Sequence, residues 1–260
     1  DTVYGRYEKE VIASQTGLVV DGREYPVYHE KDPRQLPWKD LGVDIVLECT
    51  GVFTREEDLE KHLEAGAGFV ILSAPPKSPD MPMVVHNVNQ AEQPVRMMSC
   101  ASCTTNCIAP VVEIMGRRIG VKKATLTTIH AYTASQGIVD GPSKKWNRGR
   151  AGAANLVPTT TGAAVATTKA LPQYRGKFDG VAVRAPVPVG SLSDLVFLTE
   201  RTTTVEEVND IFRQEAASER YRDILGVAED PIVSSDIIQD PRAAIFDPGM
   251  TQVLDGDLVK

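Results

Sequence analysis

Two short apolar runs separated by one helix-length segment constrain this 260-residue chain most tightly. Val43-Asp44-Ile45-Val46-Leu47-Glu48-Cys49 ends at Thr50-Gly51, and Phe69-Val70-Ile71-Leu72 is closed by Ser73-Ala74-Pro75-Pro76. Mostly apolar runs of this length suit buried strands of a parallel sheet. Between them, Thr54-Arg55-Glu56-Glu57 has the pattern of a capping box, and Gly66 stands where a helix would end. The order strand, helix, strand predicts a βαβ unit. Ligands of such units lie off the C-terminal ends of the strands, here near Thr50-Gly51 and Ser73. Taken by themselves, the two turns read as simple punctuation.

A second feature carries chemistry. Val95-Arg96-Met97-Met98 and the apolar run Val111-Val112-Glu113-Ile114-Met115 flank the segment Ser99-Cys100-Ala101-Ser102-Cys103-Thr104-Thr105-Asn106-Cys107, which predicts a strand, a turn and a helix. A cysteine at such a helix start faces free N–H groups and the positive end of the macrodipole, which favour the thiolate. The same N–H groups can hold a phosphate or a developing oxyanion. Free cysteine is usually a small buried hydrophobe, but the polar neighbours Ser102, Thr104 and Thr105 make Cys103 the candidate nucleophile. Cys107, one turn on, is expected as a packed thiol, because a regular helix holds the two sulfurs too far apart for a disulfide. The spacing Cys100-x-x-Cys103-x-x-x-Cys107, with Cys49 as a fourth ligand, also fits a metal or iron–sulfur site. Against that, the intervening Thr-Thr-Asn and the apolar helix that follows suit a catalytic turn.

Beyond the helix, Ala124-Thr125-Leu126-Thr127-Thr128-Ile129 alternates as a half-buried strand and delivers His130 at its end. Residues 133–155 form a polar loop too long to be a mere connector. Strands are predicted over residues 181–187 and 195–198, and a capped helix from Thr204-Val205-Glu206-Glu207 to about Ala217. Asp255-Gly256 reads as a hairpin turn. The fold class expected is α/β followed by α+β, with domains at residues 1–102 and 103–260. No apolar run is long enough for a membrane span. The net charge of −7 argues against nucleic acid as the main partner. Lys144-Lys145-Trp146-Asn147-Arg148-Gly149-Arg150 is basic with an aromatic, a pattern shared by RNA-binding segments and solvated loops. Four cysteines in a chain this long do not make a secreted disulfide framework, so a cytoplasmic setting fits better.

Ala101-Ser102-Cys103-Thr104-Thr105-Asn106-Cys107 followed by Ala109-Pro110 resembles the active-site signature of phosphorylating glyceraldehyde-3-phosphate dehydrogenase. Further blocks follow in family order: Glu48-Cys49-Thr50-Gly51, Ser73-Ala74-Pro75, Thr128-Ile129-His130-Ala131-Tyr132-Thr133, Asp140-Gly141-Pro142-Ser143, Thr160-Thr161-Gly162-Ala163-Ala164 and Asp194-Leu195. The resemblance covers essentially the whole chain. It implies a partial Rossmann-type NAD-binding domain and a mixed-sheet catalytic domain that convert D-glyceraldehyde 3-phosphate, NAD and inorganic phosphate to 1,3-bisphosphoglycerate in glycolysis or gluconeogenesis. Cys103 would be the nucleophile that carries the thioester, and His130 its base. Ser102, Thr104, Thr161 and Gly162 match the pocket for attacking phosphate, and Thr133 and Arg184 the second phosphate pocket, with Ser135 as helper. Arg148 is implied near phosphate, and Lys31, Thr50, Gly51, Phe53 and Ser73 near the cofactor.

The resemblance further implies a cytoplasmic homotetramer without a metal. Cys49 and Cys100 depart from the family's usual Ser and Asn. No Gly-x-Gly-x-x-Gly fingerprint occurs, so the resemblance implies an internal fragment and leaves NAD and NADP both open, with Gly141-Pro142 favouring NAD. Erythrose-4-phosphate dehydrogenase, in which water is the final nucleophile, is the close alternative. A non-catalytic binding protein is the alternative of another class.

Overall fold

The computed structural model describes residues 2–260. Asp1, where the first expected domain begins, lies outside them. Two units emerge: one runs through Pro82 and resumes over Ala91–Cys100, and the other comprises Met83–Gln90 and Ala101–Lys260. This division differs from a single cut between residues 102 and 103 in assigning residues 83–90 to the second unit.

The first unit opens with an antiparallel meander of β1 (Val11–Ala13), β2 (Gly17–Val20) and β3 (Arg23–Pro26), which sequence reading missed. β1 and β3 are exposed along their whole length, so no alternation of apolar and polar residues marks them. The expected βαβ unit follows as β4 (Ile45–Glu48), α1 (Glu56–Glu64) and β5 (Phe69–Leu72), with β6 (Met97–Ser99) completing a parallel sheet in the order β4-β5-β6. Val46, Leu59, Val70 and Leu72 form its core with Ala67 and Met81.

Two expectations need correction here. β4 is not buried on both faces: Leu47 is 65% exposed and Ile45 55%, because α1 covers only the face that carries Val46 and Glu48. Nor does the capping box form. The cap position is Arg55, which makes no side-chain cap bond, and Ser78 Oγ instead accepts from the Glu56 N–H at 3.0 Å. Thr54 is buried with its hydroxyl unpartnered. The far end follows the sequence: Ala65 caps α1, and Gly66 takes φ +105° in close approach to Lys39, where a Cβ would clash.

The second unit begins with α2 (Cys103–Arg118) and β7 (Val121–Ala131). There follow β8 (Val157–Thr160), α3 (Ala163–Ala170), β9 (Phe178–Ala185), β10 (Ser191–Thr199), α4 (Val205–Ala217), β11 (Leu225–Val227), β12 (Ala244–Phe246), β13 (Val253–Leu254) and β14 (Leu258–Val259). Six strands make a mixed sheet in the order β13-β14-β10-β7-β9-β8, in which only β7 and β9 run parallel; β11 and β12 pair separately. The fold class is therefore the one expected, α/β followed by α+β. Strands β7, β9 and β10 run longer than their apolar alternation suggested, because mutual pairing extends them. α4 is capped by Thr204 Oγ1, which accepts from the Glu207 N–H at 3.2 Å. The Glu207 carboxylate does not reach back to complete the box, since Arg201 and Thr203 hold it.

On α2, Ile108, Val112, Met115 and Ile119 recur at spacings of four, three and four and are all buried. Each such burial stabilises the fold by roughly 2 kcal/mol. Phe212 of α4 stacks on Phe246 of β12 at 4.2 Å in the same core. Glu113, Arg117, Arg118, Glu215 and Tyr221 form a connected polar cluster between α2, α4 and the segment after α4. In the long loop 133–155, two short 3-10 turns, Trp146–Gly149 and Gly152–Ala154, interrupt otherwise irregular backbone.

Candidate active site

The chain turns sharply from β6 into α2. Ala101 takes φ +63°, a left-handed conformation that costs a residue with a Cβ about 1 kcal/mol, and buried apolar neighbours hold it there. Ser102 then caps α2: its Oγ accepts from the Thr105 N–H at 3.2 Å, and the Thr105 hydroxyl lies 2.8 Å away. Cys103 is the first helical residue and is exposed. Its Sγ lies 3.5 Å from His130 Nε2. That hydrogen bond is the main cause of a thiol pKa drawn down to about 7, with burial opposing and the Thr104 N–H and hydroxyl helping. Thr104 therefore serves the sulfur directly.

His130 lies at the penultimate position of β7, as its alternation required. Strand register then brings in a residue far away in sequence, since Arg184 is the direct partner of His130 across the β7–β9 pair. Arg184 Nη1 lies 2.8 Å from both His130 Nδ1 and the Ala131 carbonyl, and that carbonyl is also 2.8 Å from Nδ1. Both protonation states of the ring are thereby served. Neutral imidazole accepts from Arg184 at Nδ1 and donates from Nε2 to sulfur; imidazolium donates from Nδ1 to Ala131 O. The Cys103 contact raises the pKa of His130 above its ordinary value, while burial and the Arg184 charge pull the other way.

Arg184 is half-buried, and its Nε is buried with no partner. Burial, together with the nearby Arg148 charge, lowers its pKa. Arg148 is oriented by the Thr159 hydroxyl, which accepts from its Nε at 3.1 Å. The two guanidinium groups thus place positive charge near the thiol and imidazole, as anion binding requires. Thr133, just past β7, lies 2.8 Å from Ser135 through their hydroxyls. Thr161 Oγ1 accepts from the Ala163 N–H at the start of α3, and Gly162 between them is exposed with open space around it. Hydrogen bonds join Cys103, His130 and Arg184 into one group, whereas Thr133 and Thr161 are tied only to their own turns.

Residues 102–260 match the family described as the C-terminal domain of glyceraldehyde 3-phosphate dehydrogenase, and residues 1–56 match its NAD binding domain. The chain is 45% identical to glyceraldehyde-3-phosphate dehydrogenase 2 of Streptomyces avermitilis, over all of this chain and 78% of that protein. It is 47% identical to glyceraldehyde-3-phosphate dehydrogenase of Thermotoga maritima over the same shares, and 42% identical to glyceraldehyde-3-phosphate dehydrogenase 2 of Bacillus subtilis, over all of this chain and 77% of that protein. This chain belongs to the glyceraldehyde-3-phosphate dehydrogenase family. As in that family, its first unit carries the NAD-binding part.

At the C-terminal ends of β4 and β5, Thr50, Gly51 and Ser73 are exposed, and the Ser73 N–H donates to the Glu48 carbonyl at 3.0 Å. Gly51 takes φ +71° with open space around its Cα, so backbone is accessible there. Hydroxyls and bare backbone off parallel strand ends fit a dinucleotide. Phe53 is half-buried, edge-on to His62. Lys31 is exposed in the segment after β3 and makes no hydrogen bond or ion pair among the described residues.

All four cysteines are free. Burial pushes the Cys107 thiol up to about 11, in keeping with the packed role expected for it. Burial also raises the Cys100 thiol. Among the described residues, no three or more His, Cys, Asp or Glu side chains gather as metal ligands. Sequence reading gave Thr105 only as a polar neighbour of Cys103 and did not single out Thr159; they are the partners of Ser102 and Arg148. It gave Glu48 no role beyond membership of a matched block, although a carboxylate in step with Val46 at the end of an apolar strand was a visible signal.

Proposed function

We propose that this glyceraldehyde-3-phosphate dehydrogenase uses Cys103 as its acyl carrier and His130 as its proton carrier, converting D-glyceraldehyde 3-phosphate and inorganic phosphate to 1,3-bisphosphoglycerate. The observation that carries the reading is the 3.5 Å contact between Sγ and Nε2 at the start of α2, with Arg184 behind the imidazole. The Cys103 thiolate adds to the aldehyde carbon, forming a carbon–sulfur bond. His130 gives its Nε2 proton to the carbonyl oxygen, and the Cys103 N–H at the helix start helps steady that oxygen. His130 then takes back the proton of the hemithioacetal hydroxyl. Thr50, Gly51, Phe53, Ser73 and Lys31 would hold NAD, which when bound would supply the acceptor for the hydride lost from the hemithioacetal carbon as the thioester forms. Phosphate adds to the thioester carbon, the carbon–sulfur bond breaks, and the sulfur leaves as a thiolate supported by His130 and Thr104.

Arg184 and Thr133, aided by Ser135, hold one phosphate; Ser102, Thr104, Thr161 and Gly162 hold the other, with Arg148 adding charge. The unpartnered Arg184 Nε supports this assignment, because a phosphate oxygen is the acceptor it needs. The first unit serves the cofactor and the second the acyl chemistry. Exposed Val181 and Leu192 on the mixed sheet, with Ile138 and Val139 in the long loop, support a homotetramer. Among the described residues no helix is long and apolar enough to cross a membrane, which is compatible with the cytoplasmic setting we infer.

The test is substrate discrimination. Arg184→Ala should lower kcat/KM for glyceraldehyde 3-phosphate by about a hundredfold, and for unphosphorylated glyceraldehyde by at least about tenfold less, the loss shared by both aldehydes reporting the contact to His130 Nδ1. Equal losses with both aldehydes would place Arg184 outside the phosphate pocket.

A further inference from the structure

The first unit contains a buried polar chain that the acyl chemistry does not use. Glu48 and His62 are 3% and 4% exposed, inside a core otherwise made of Val46, Leu59, Val70 and Leu72. Trp38 Nε1 lies 3.1 Å from His62 Nδ1, and His62 Nε2 lies 3.2 Å from Glu48 Oε2. Glu48 Oε1 accepts from the Thr50 N–H at 2.8 Å and from the Thr50 hydroxyl. The Val52 N–H in turn donates to Thr50 Oγ1 at 3.1 Å.

With Glu48 as a carboxylate, the polarity of this chain has one solution. An indole N–H can only donate, so His62 Nδ1 holds a lone pair, and its proton sits on Nε2 and points at Glu48. Glu48 thus accepts from both sides and donates to neither. The Thr50 hydroxyl must give its proton to Glu48, which leaves Thr50 only acceptor capacity on its solvent side. The ring of His62 is also clamped, stacked near Trp38 at 6.3 Å and edge-on to Phe53 at 6.5 Å.

We propose that Trp38, His62 and Glu48 form a one-directional hydrogen-bond relay that locks the Thr50–Gly51 turn with the Thr50 hydroxyl oxygen held as an acceptor toward the donor groups of the dinucleotide. These are positioning residues; the inference rests on the reading of Thr50 and Gly51 as cofactor contacts. Preorganisation of this kind removes the cost of ordering the turn on binding, so it bears on cofactor affinity rather than on the chemical step. Polarity, not volume, is what the relay transmits. Glu48→Gln keeps the shape but puts an amide donor against either His62 Nε2–H or the Thr50 N–H, whichever way it flips. His62→Gln preserves the direction, since its oxygen can accept from Trp38 and its nitrogen can donate to Glu48. His62→Leu keeps bulk and breaks the relay.

The experiment measures NAD dissociation by calorimetry, amide hydrogen exchange at Thr50 and Val52, and the split between KM for NAD and kcat. Glu48→Gln and His62→Leu should each weaken NAD binding by about tenfold and raise exchange at Thr50 by a similar factor, with kcat at saturating NAD within about twofold. His62→Gln should stay within about threefold of the parent in both readouts. Equal losses in His62→Gln and His62→Leu would overturn the relay, and that comparison decides the matter even if Glu48→Gln fails to fold. Unchanged exchange and affinity in a folded Glu48→Gln would also overturn it. Thr50→Val separates the two layers. If it leaves NAD binding unchanged, the cofactor reading of the turn is wrong and the proposal falls with it; if it weakens binding while Glu48→Gln does not, only the relay is wrong.

Discussion

At the residue scale, the decisive quantity is the ionisation of one thiol. A thiol pKa moved from 9.0 to about 7 leaves Cys103 half ionised near neutrality, and the largest single cause is the His130 hydrogen bond. The sign follows directly: the thiolate is protonated as pH falls through about 7, so alkylation by iodoacetate should increase as pH rises, with a midpoint near 7. His130→Asn should move that midpoint up toward 9.0. The ionised fraction at pH 7 then falls about fiftyfold, partly offset by the greater nucleophilicity of a less acidic thiolate, so alkylation should slow by about five- to fiftyfold. Peptide mapping of the alkylated protein checks both the site and the midpoint. A midpoint that His130→Asn leaves in place would remove His130 from its assigned role, and faster labelling at Cys49 or Cys107 would remove Cys103 from its own. The proposed nucleophile was legible in the sequence because its polar neighbours and the helix it starts are contiguous. The Arg184 contact was not, because it depends on β7 and β9 pairing in parallel across a separation of 54 residues.

At the element scale, α1 shows how a sequence pattern can name the right helix and the wrong cap. Thr54-Arg55-Glu56-Glu57 has the letters of a capping box, but Thr54 is buried and the Glu56 N–H goes to Ser78, 22 residues on. Local pattern is blind to a donor satisfied from that distance. Ser78→Ala should cost about 1 kcal/mol and lower Tm by about 2–4 °C. Thr54→Val, which deletes an unpartnered buried hydroxyl while keeping its shape, should hold or raise Tm. Thermal unfolding of the two variants decides between the caps; the opposite ranking would restore Thr54. The same blindness hid the meander β1–β3, whose outer strands β1 and β3 are exposed along their whole length and show no alternation. Elements with a sharp apolar stripe or a turn signal were legible: α2, α4, and the hairpin β13–β14, where Asp255 and Gly256 take φ +49° and +79°.

At the scale of the whole molecule, there are two units with separate cores, and in the mechanism proposed one reads the cofactor and the other holds the carbon–sulfur bond. The order of sequence blocks made this division legible, whereas Trp38, His62 and Glu48 meet only after the first unit has packed. In that mechanism the two tasks are joined by a covalent intermediate on Cys103, whose presence can be tested directly. The protein is incubated with glyceraldehyde 3-phosphate and NAD without phosphate, quenched in acid and digested for mass spectrometry. The peptide containing Cys103 should carry a 3-phosphoglyceroyl group, and adding inorganic phosphate before the quench should discharge it. An adduct on another residue, or one on Cys103 that phosphate does not release, would contradict the mechanism proposed for this site.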